Sequence, residues 1–136
     1  MITDYIDVDD GKWGIILIFD FDTYEDDVDL VPIMKAFGMK DHNVGKALNI
    51  LSTNNSGMTI SNYGIKMSAV FIGKPTSPEQ FWDTIAHECI HVCQAILDYY
   101  GEDNWDGETP AYLDGYLFRQ IVYAIGVPCR QTLGIE

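Results

Sequence analysis

Positive charge is scarce in this sequence: 8 Lys and Arg stand against 21 Asp and Glu, for a formal net charge of −13. So acidic a chain repels phosphate backbones and anionic lipid, which excludes nucleic-acid binding through a basic face. Metal cations and cationic partners remain compatible. Long apolar runs are also missing: no stretch approaches the ~20 apolar residues of a membrane-spanning helix. The opening residues, Met1 to Asp7, lack the basic and apolar regions of a secretory signal. Cysteine is limited to three residues, an odd count. Cys89 and Cys93 stand four apart in what reads as a helix, where two small buried hydrophobes are expected rather than a disulfide. These absences set the expectation of a reduced, cytoplasmic protein with neither nucleic-acid nor membrane partners. They leave the oligomeric state open.

What is present suffices for a core. The 136 residues are 47% hydrophobic and 12% aromatic, which excludes an intrinsically disordered chain. Surface scaling gives roughly 7,200 Å² exposed when folded against about 22,000 Å² unfolded, so about two-thirds is buried without staples. One domain over 1–136 is expected, with sheet and short helices in 1–75 and a helical half in 76–136.

Residues 2–8 and 12–20 read as two strands joined by the turn Asp9-Asp10-Gly11. The second, Trp13 to Phe19, is continuously apolar and so expected to be buried on both faces. A short helix is predicted around 29–38, with Pro32 in its first turn and Gly38 at its end. A second helix is predicted over 41–51, followed by a hairpin of 58–61 and 65–73 closed by Asn62-Tyr63-Gly64. Ser77-Pro78-Glu79-Gln80 supplies a capping Ser, a Pro at the first helical position and a Gln two residues on. The helix it opens should run from 78 to 100 and stop at Gly101, with Phe81, Ile85, Cys89, Val92 and Ile96 on one side. A last helix is predicted from 108 to 125, ended by Gly126 and Pro128. The fold class is α+β: a small, mostly antiparallel sheet packed beside several helices.

His87-Glu88-Cys89-Ile90-His91 is an H-E-x-x-H motif inside the best-signposted helix. Residues four apart project about 40° from each other and ~6 Å along the axis, so both imidazoles can reach one tetrahedral Zn²⁺. Glu88 lies on the neighbouring flank, placed to address a water without ligating, as a general base must. Residue frequencies alone produce the motif in on the order of one chain in a few hundred of this length. Here two of only three histidines sit in it. The plainer alternative is a helix whose histidines face solvent or satisfy hydrogen bonds. A catalytic zinc needs a third protein ligand, and Glu108 is the candidate, with Glu102, Asp103 and Asp106 as rivals. Its own plainer role is a carboxylate complementing a helix dipole.

H-E-x-x-H followed by Glu108 at the head of the next helix, in the context Glu-x-x-Ala-Tyr, resembles the gluzincin branch of zinc metallopeptidases. More narrowly, residues 55–119 resemble small zincin-like proteins of phages, prophages and gut bacteria, with Glu108, Tyr112, Leu113 and Gly115 completing the pattern. The resemblance implies a minimal zincin-like fold, His87, His91 and Glu108 as zinc ligands, Glu88 as base, and a peptide or protein substrate. Residues 1–54 lie outside it. The gluzincin Asn-Glu-x-x-x-Asp pattern is absent: Gly107 precedes the Glu, and Tyr112 occupies the position four after it where the Asp would stand. The rival expectation is a catalytically silent binding or structural protein with the same fold.

Tyr112, one turn after Glu108, is a candidate to stabilise an oxyanion or hold a ligand, against the alternative of a packed aromatic. Arg119 is expected in a surface ion pair, or beside Asp83 or Asp98. The strand 65–72 is either the edge on which substrate is laid or a central strand. His42 reads as an ordinary surface residue. The acidic run Asp20 to Asp27 lacks a calcium-loop pattern and reads as a solvated face.

Overall fold

A computed structural model describes the backbone of residues 1–101 and 108–133 and the side chains of 1–101 and 110–125. The elements run β1 (Ile2–Val8), β2 (Trp13–Phe19), α1 (Asp27–Ala36), α2 (Asp41–Leu51), β3 (Gly57–Asn62), β4 (Met67–Ile72), α3 (Pro78–Tyr100) and α4 (Glu108–Leu133). The fold is α+β. Its four strands form one sheet in the order β1-β2-β4-β3. The pairs β1–β2 and β3–β4 are antiparallel, whereas β2 and β4 run parallel. The sheet is therefore mixed, with two of its three pairings antiparallel.

The parallel pairing follows from the connection between β2 and β4. Parallel neighbours need a crossover, and α1, α2 and β3 together supply it. The sheet consequently has helices on both faces. Trp13, Ile15, Leu17 and Phe19 of β2 join Val70 and Ile72 of β4 against α3 and α4. The alternate residues Ile16, Ile18, Ala69 and Phe71 pack against Leu30 and Met34 of α1 and Val44, Ala47 and Leu51 of α2. The unbroken apolar run of β2 is explained by this two-sided burial.

Several local readings coincide with the structure. Ser77 Oγ accepts the Gln80 N–H at 3.1 Å, and Gly101 ends α3 with φ of +78°, a conformation glycine adopts without a Cβ penalty. The expected hairpin forms, but its turn is residues 63–66: Asn62 is the last residue of β3, which begins one residue earlier than predicted, and β4 begins two residues later, at Met67. The strand preceding α3 is central rather than an edge: β4 lies between β2 and β3, and β3 is the edge strand on that side of the sheet.

Two helices differ in extent from expectation. α1 begins at Asp27, so Pro32 falls in its second turn. Asp22 and Asp26 form the lead-in: the Asp22 N–H donates to Asp26 Oδ2 and the Asp26 N–H donates to the Asp22 carbonyl, both at 2.8 Å. The start is set by this side-chain-assisted turn, not by the proline. α4 continues past Gly126 and Pro128 to Leu133. Proline removes only its own N–H from the ladder, a local penalty of ~3 kcal/mol that does not by itself end a helix. Upstream, Leu117, Ile121 and Ile125 are buried at helical spacing and hold α4 on the sheet.

Candidate metal centre

α3 brings its functional side chains to one side by helical period alone. His87 and His91, one turn apart, have ring centroids separated by 5.1 Å and planes inclined at 70°. Both line one open concavity of about 510 Å³, together with Glu88, Gln94, Ala95 and Asp98 of α3. The His87 side chain is 71% exposed. His91 Nδ1 lies 3.2 Å from Gln94 Oε1. With the proton on Nδ1, His91 donates to Gln94 and leaves the Nε2 lone pair for a metal, the usual division of labour in a ligating imidazole. Gln94 was not singled out from the sequence; its spacing of three from His91 is the signal that would have found it.

The opposite wall is the edge strand β3, whose alternation turns Gly57, Thr59 and Ser61 towards α3 and Met58 and Ile60 into the α1–α2 core. Glu88 is 4% exposed. The Thr59 hydroxyl donates to its Oε1 at 2.8 Å, while Oε2 stands 4.0 Å from His87 Nε2. Gly57 is what lets strand and helix approach so closely. A Cβ there would lie 2.7 Å from Thr84 Cγ2 and 2.9 Å from Glu88 Oε2.

Further along the wall, the Trp13 indole N–H donates to Ser68 Oγ at 2.9 Å, and the Ser68 and Ser61 hydroxyls are 2.7 Å apart. Ser68 is fully buried. Ser68 Oγ accepts from Trp13, and either serine hydroxyl can supply the proton between Ser61 and Ser68.

The two imidazoles and Glu88 are thus brought together. The side chain of Glu108 lies outside the described residues, as do Glu102, Asp103 and Asp106; only the backbone of Glu108, at the head of α4, is described. Among the described residues no group of three or more His, Cys, Asp or Glu forms a metal-binding set. Tyr112 stands apart from the imidazoles: it is 75% exposed and lines a separate depression with Lys12, Ile96, Leu97 and Tyr100. Arg119 lies over the Tyr116 ring, 5.8 Å from its centroid, and makes no ion pair with Asp83 or Asp98 among the described residues. His42 is exposed on α2.

Cys89 and Cys93 are buried, free thiols facing α4. Burial pushes the Cys93 thiol up to about 11, helped by the charge of Asp114. Burial and then Asp114 move Cys89 in the same direction. Both stay protonated and serve packing, not ligation. Among the described residues the donor set open to a metal is therefore nitrogen from two imidazoles, a chemistry compatible with zinc. Compared with protein-family models, with curated proteins and with solved structures, the chain finds no match.

Proposed function

We propose that this chain is a minimal zincin-type, zinc-dependent metallopeptidase that hydrolyses peptide bonds. The observation that carries this reading is the pair of imidazoles at 5.1 Å on one open concavity, with the carboxylate of Glu88 between them in sequence and held beside them in space. His87 and His91 are the residues to hold the ion, with Glu108 as the third ligand. Bound there, zinc supplies Lewis-acid polarisation of a carbonyl and lowers the pKa of water at its open position.

The rest belongs to the chain. Thr59 occupies Glu88 Oε1 and so fixes the carboxylate plane, leaving Oε2 to take a proton from the attacking water. As the water oxygen bonds to the carbonyl carbon and the C–N bond breaks, Glu88 passes that proton to the leaving amine. A reducing, cytoplasmic setting is part of the proposal, supported by the two free thiols. No helix among the described residues is long and apolar enough to cross a membrane.

A second reading, a catalytically silent zincin-fold binding or structural protein, is favoured by the burial of Glu88 and its bond to Thr59. A buried, tethered carboxylate also suits a structural role. Wild type and Glu88→Gln, compared on mixed peptides with chelator and zinc add-back, separate the two. The enzyme reading expects equal zinc content and a loss of about 10²–10⁴-fold in cleavage rate in the variant. Cleavage at full rate by Glu88→Gln would refute the proton-transfer role. Full zinc occupancy without cleavage by either protein would select the silent reading.

A further inference from the structure

The concavity does not end at the imidazoles. Asp98 follows His91 by seven residues, two helical turns and ~10.5 Å along the same face of α3, and it lines the same depression. Of the two carboxylates there, Glu88 is buried and engaged by Thr59, whereas Asp98 is exposed. Among the described residues no Lys or Arg lines the concavity. Among the described residues Asp98 has no cation within 4 Å. The Tyr63 hydroxyl donates a long hydrogen bond to it, at 3.5 Å.

Tyr63, in the β3–β4 turn, gives this end of the concavity an aromatic wall. Its ring meets Trp13 and Tyr99 edge-on, each with centroids 6.0 Å away, and Trp13 and Tyr99 are 5.5 Å apart. Three rings packed pairwise hold the Tyr63 side chain in place. Trp13 is itself tied to Ser68, so the wall is anchored in the core. Burial and the Asp98 charge raise the phenol's pKa, keeping it a neutral donor.

An exposed carboxylate with a tyrosine at its side is a receptor for a cation: charge attracts charge, and the phenol oxygen and ring border the site. We propose that Asp98 and Tyr63 form a cation subsite that selects peptides carrying a lysine or arginine side chain. The proposal rests on the peptide-hydrolysis reading for the meaning of the selection, though not for the binding itself. The ~10.5 Å from His91 to Asp98 corresponds to about three residues of extended peptide, which places the basic side chain within three residues of the bond cleaved. The net charge of −13 further favours approach of basic peptides.

The test is a set of fluorescent hexapeptides of one neutral sequence, each with lysine or norleucine at a single position. Binding is read by anisotropy to the zinc-loaded Glu88→Gln protein, and cleavage by wild type is followed in parallel. At one position the lysine peptide should bind about tenfold more tightly than its norleucine counterpart. Asp98→Asn should bring that ratio close to one with zinc content unchanged, and Asp98→Lys should transfer the preference to a glutamate peptide. Asp98 is on an exposed helix surface, so neither substitution threatens the core.

Equal binding of lysine and norleucine peptides at every position would overturn the subsite, as would a lysine preference that survives Asp98→Asn. A preference abolished by Asp98→Asn upholds the subsite even if wild type cleaves nothing. In that case the peptidase reading fails while the subsite stands as a feature of a basic-peptide binder.

Discussion

Thr59 is the residue on which the geometry of Glu88 depends. Its hydroxyl donates to the carboxylate at 2.8 Å, and among the described residues no Lys or Arg lines the concavity they share. Thr59→Val keeps the shape and β-branching while removing the donor. The carboxylate oxygen it leaves is poorly hydrated, so a stability loss of about 1–3 kcal/mol is expected, the cost of an unsatisfied buried polar group. Urea denaturation measures it. If Glu88 is the proton carrier, the same substitution also lowers the cleavage rate without altering zinc stoichiometry, because the carboxylate loses its fixed plane. A variant as stable and as active as wild type would show that the hydrogen bond does neither job.

At the level of elements, the contact between β3 and α3 builds the concavity, and Gly57 is the point of closest approach. Gly57→Ala would drive a methyl to within 2.7 Å of Thr84 Cγ2 and 2.9 Å of Glu88 Oε2, distances no relaxed pair of side chains tolerates. Strand and helix must separate, at a cost of about 1–3 kcal/mol. Separation also stretches the Thr59–Glu88 bond two residues along the strand. The variant should therefore lose stability and show faster amide exchange in β3 than in β2, since β3 is paired on one side only. By contrast, β2 is paired on both sides and should remain protected. Uniformly unchanged exchange across the sheet would mean that the close approach is not a strain point.

For the molecule as a whole, the buried thiols couple stability to alkaline pH. In the fold the Cys93 thiol holds its proton to about 11, against 9.0 for an unperturbed thiol, and Cys89 is displaced in the same direction. Between those values the unfolded chain has released protons that the folded chain still binds, so rising pH favours unfolding. This contribution is complete below about pH 9 and is lost as pH climbs through about 11. Melting temperature against pH should fall over that window, and fall less steeply in Cys93→Ala. Identical slopes for the two proteins would refute the assignment. With the third cysteine of the sequence, Cys129, replaced by Ala, thiol reagents at neutral pH should label the protein only after denaturant is added.

How much of this could be read along the chain depends on the range of the forces involved. The ends of α3 are local chemistry: the Ser77 hydroxyl reaches three residues forward, and Gly101 tolerates a positive φ. Their positions were therefore legible to the residue. The spacing of His87 and His91 is equally local, since the helix period alone puts them one turn apart. The hairpin between β1 and β2 was legible for the same reason, and so was the two-sided burial of β2, which needs only an unbroken apolar run. The order of the strands was not. Whether β4 lies inside the sheet or at its edge depends on β2 pairing with it across more than fifty residues, and no local signal encodes that choice. Everything β3 contributes follows from it: Thr59 on Glu88, Gly57 against α3, Ser61 tied through Ser68 to Trp13, and Tyr63 beside Asp98. Tyr112 illustrates the converse. One turn from Glu108 in sequence, it lines a different depression from the imidazoles, because the packing of α4 on α3 decides which way that turn faces. Sequence determined which residues share a helix face; tertiary packing decided what that face looks upon, since long-range burial, not local hydrogen bonding, selects among strand orders.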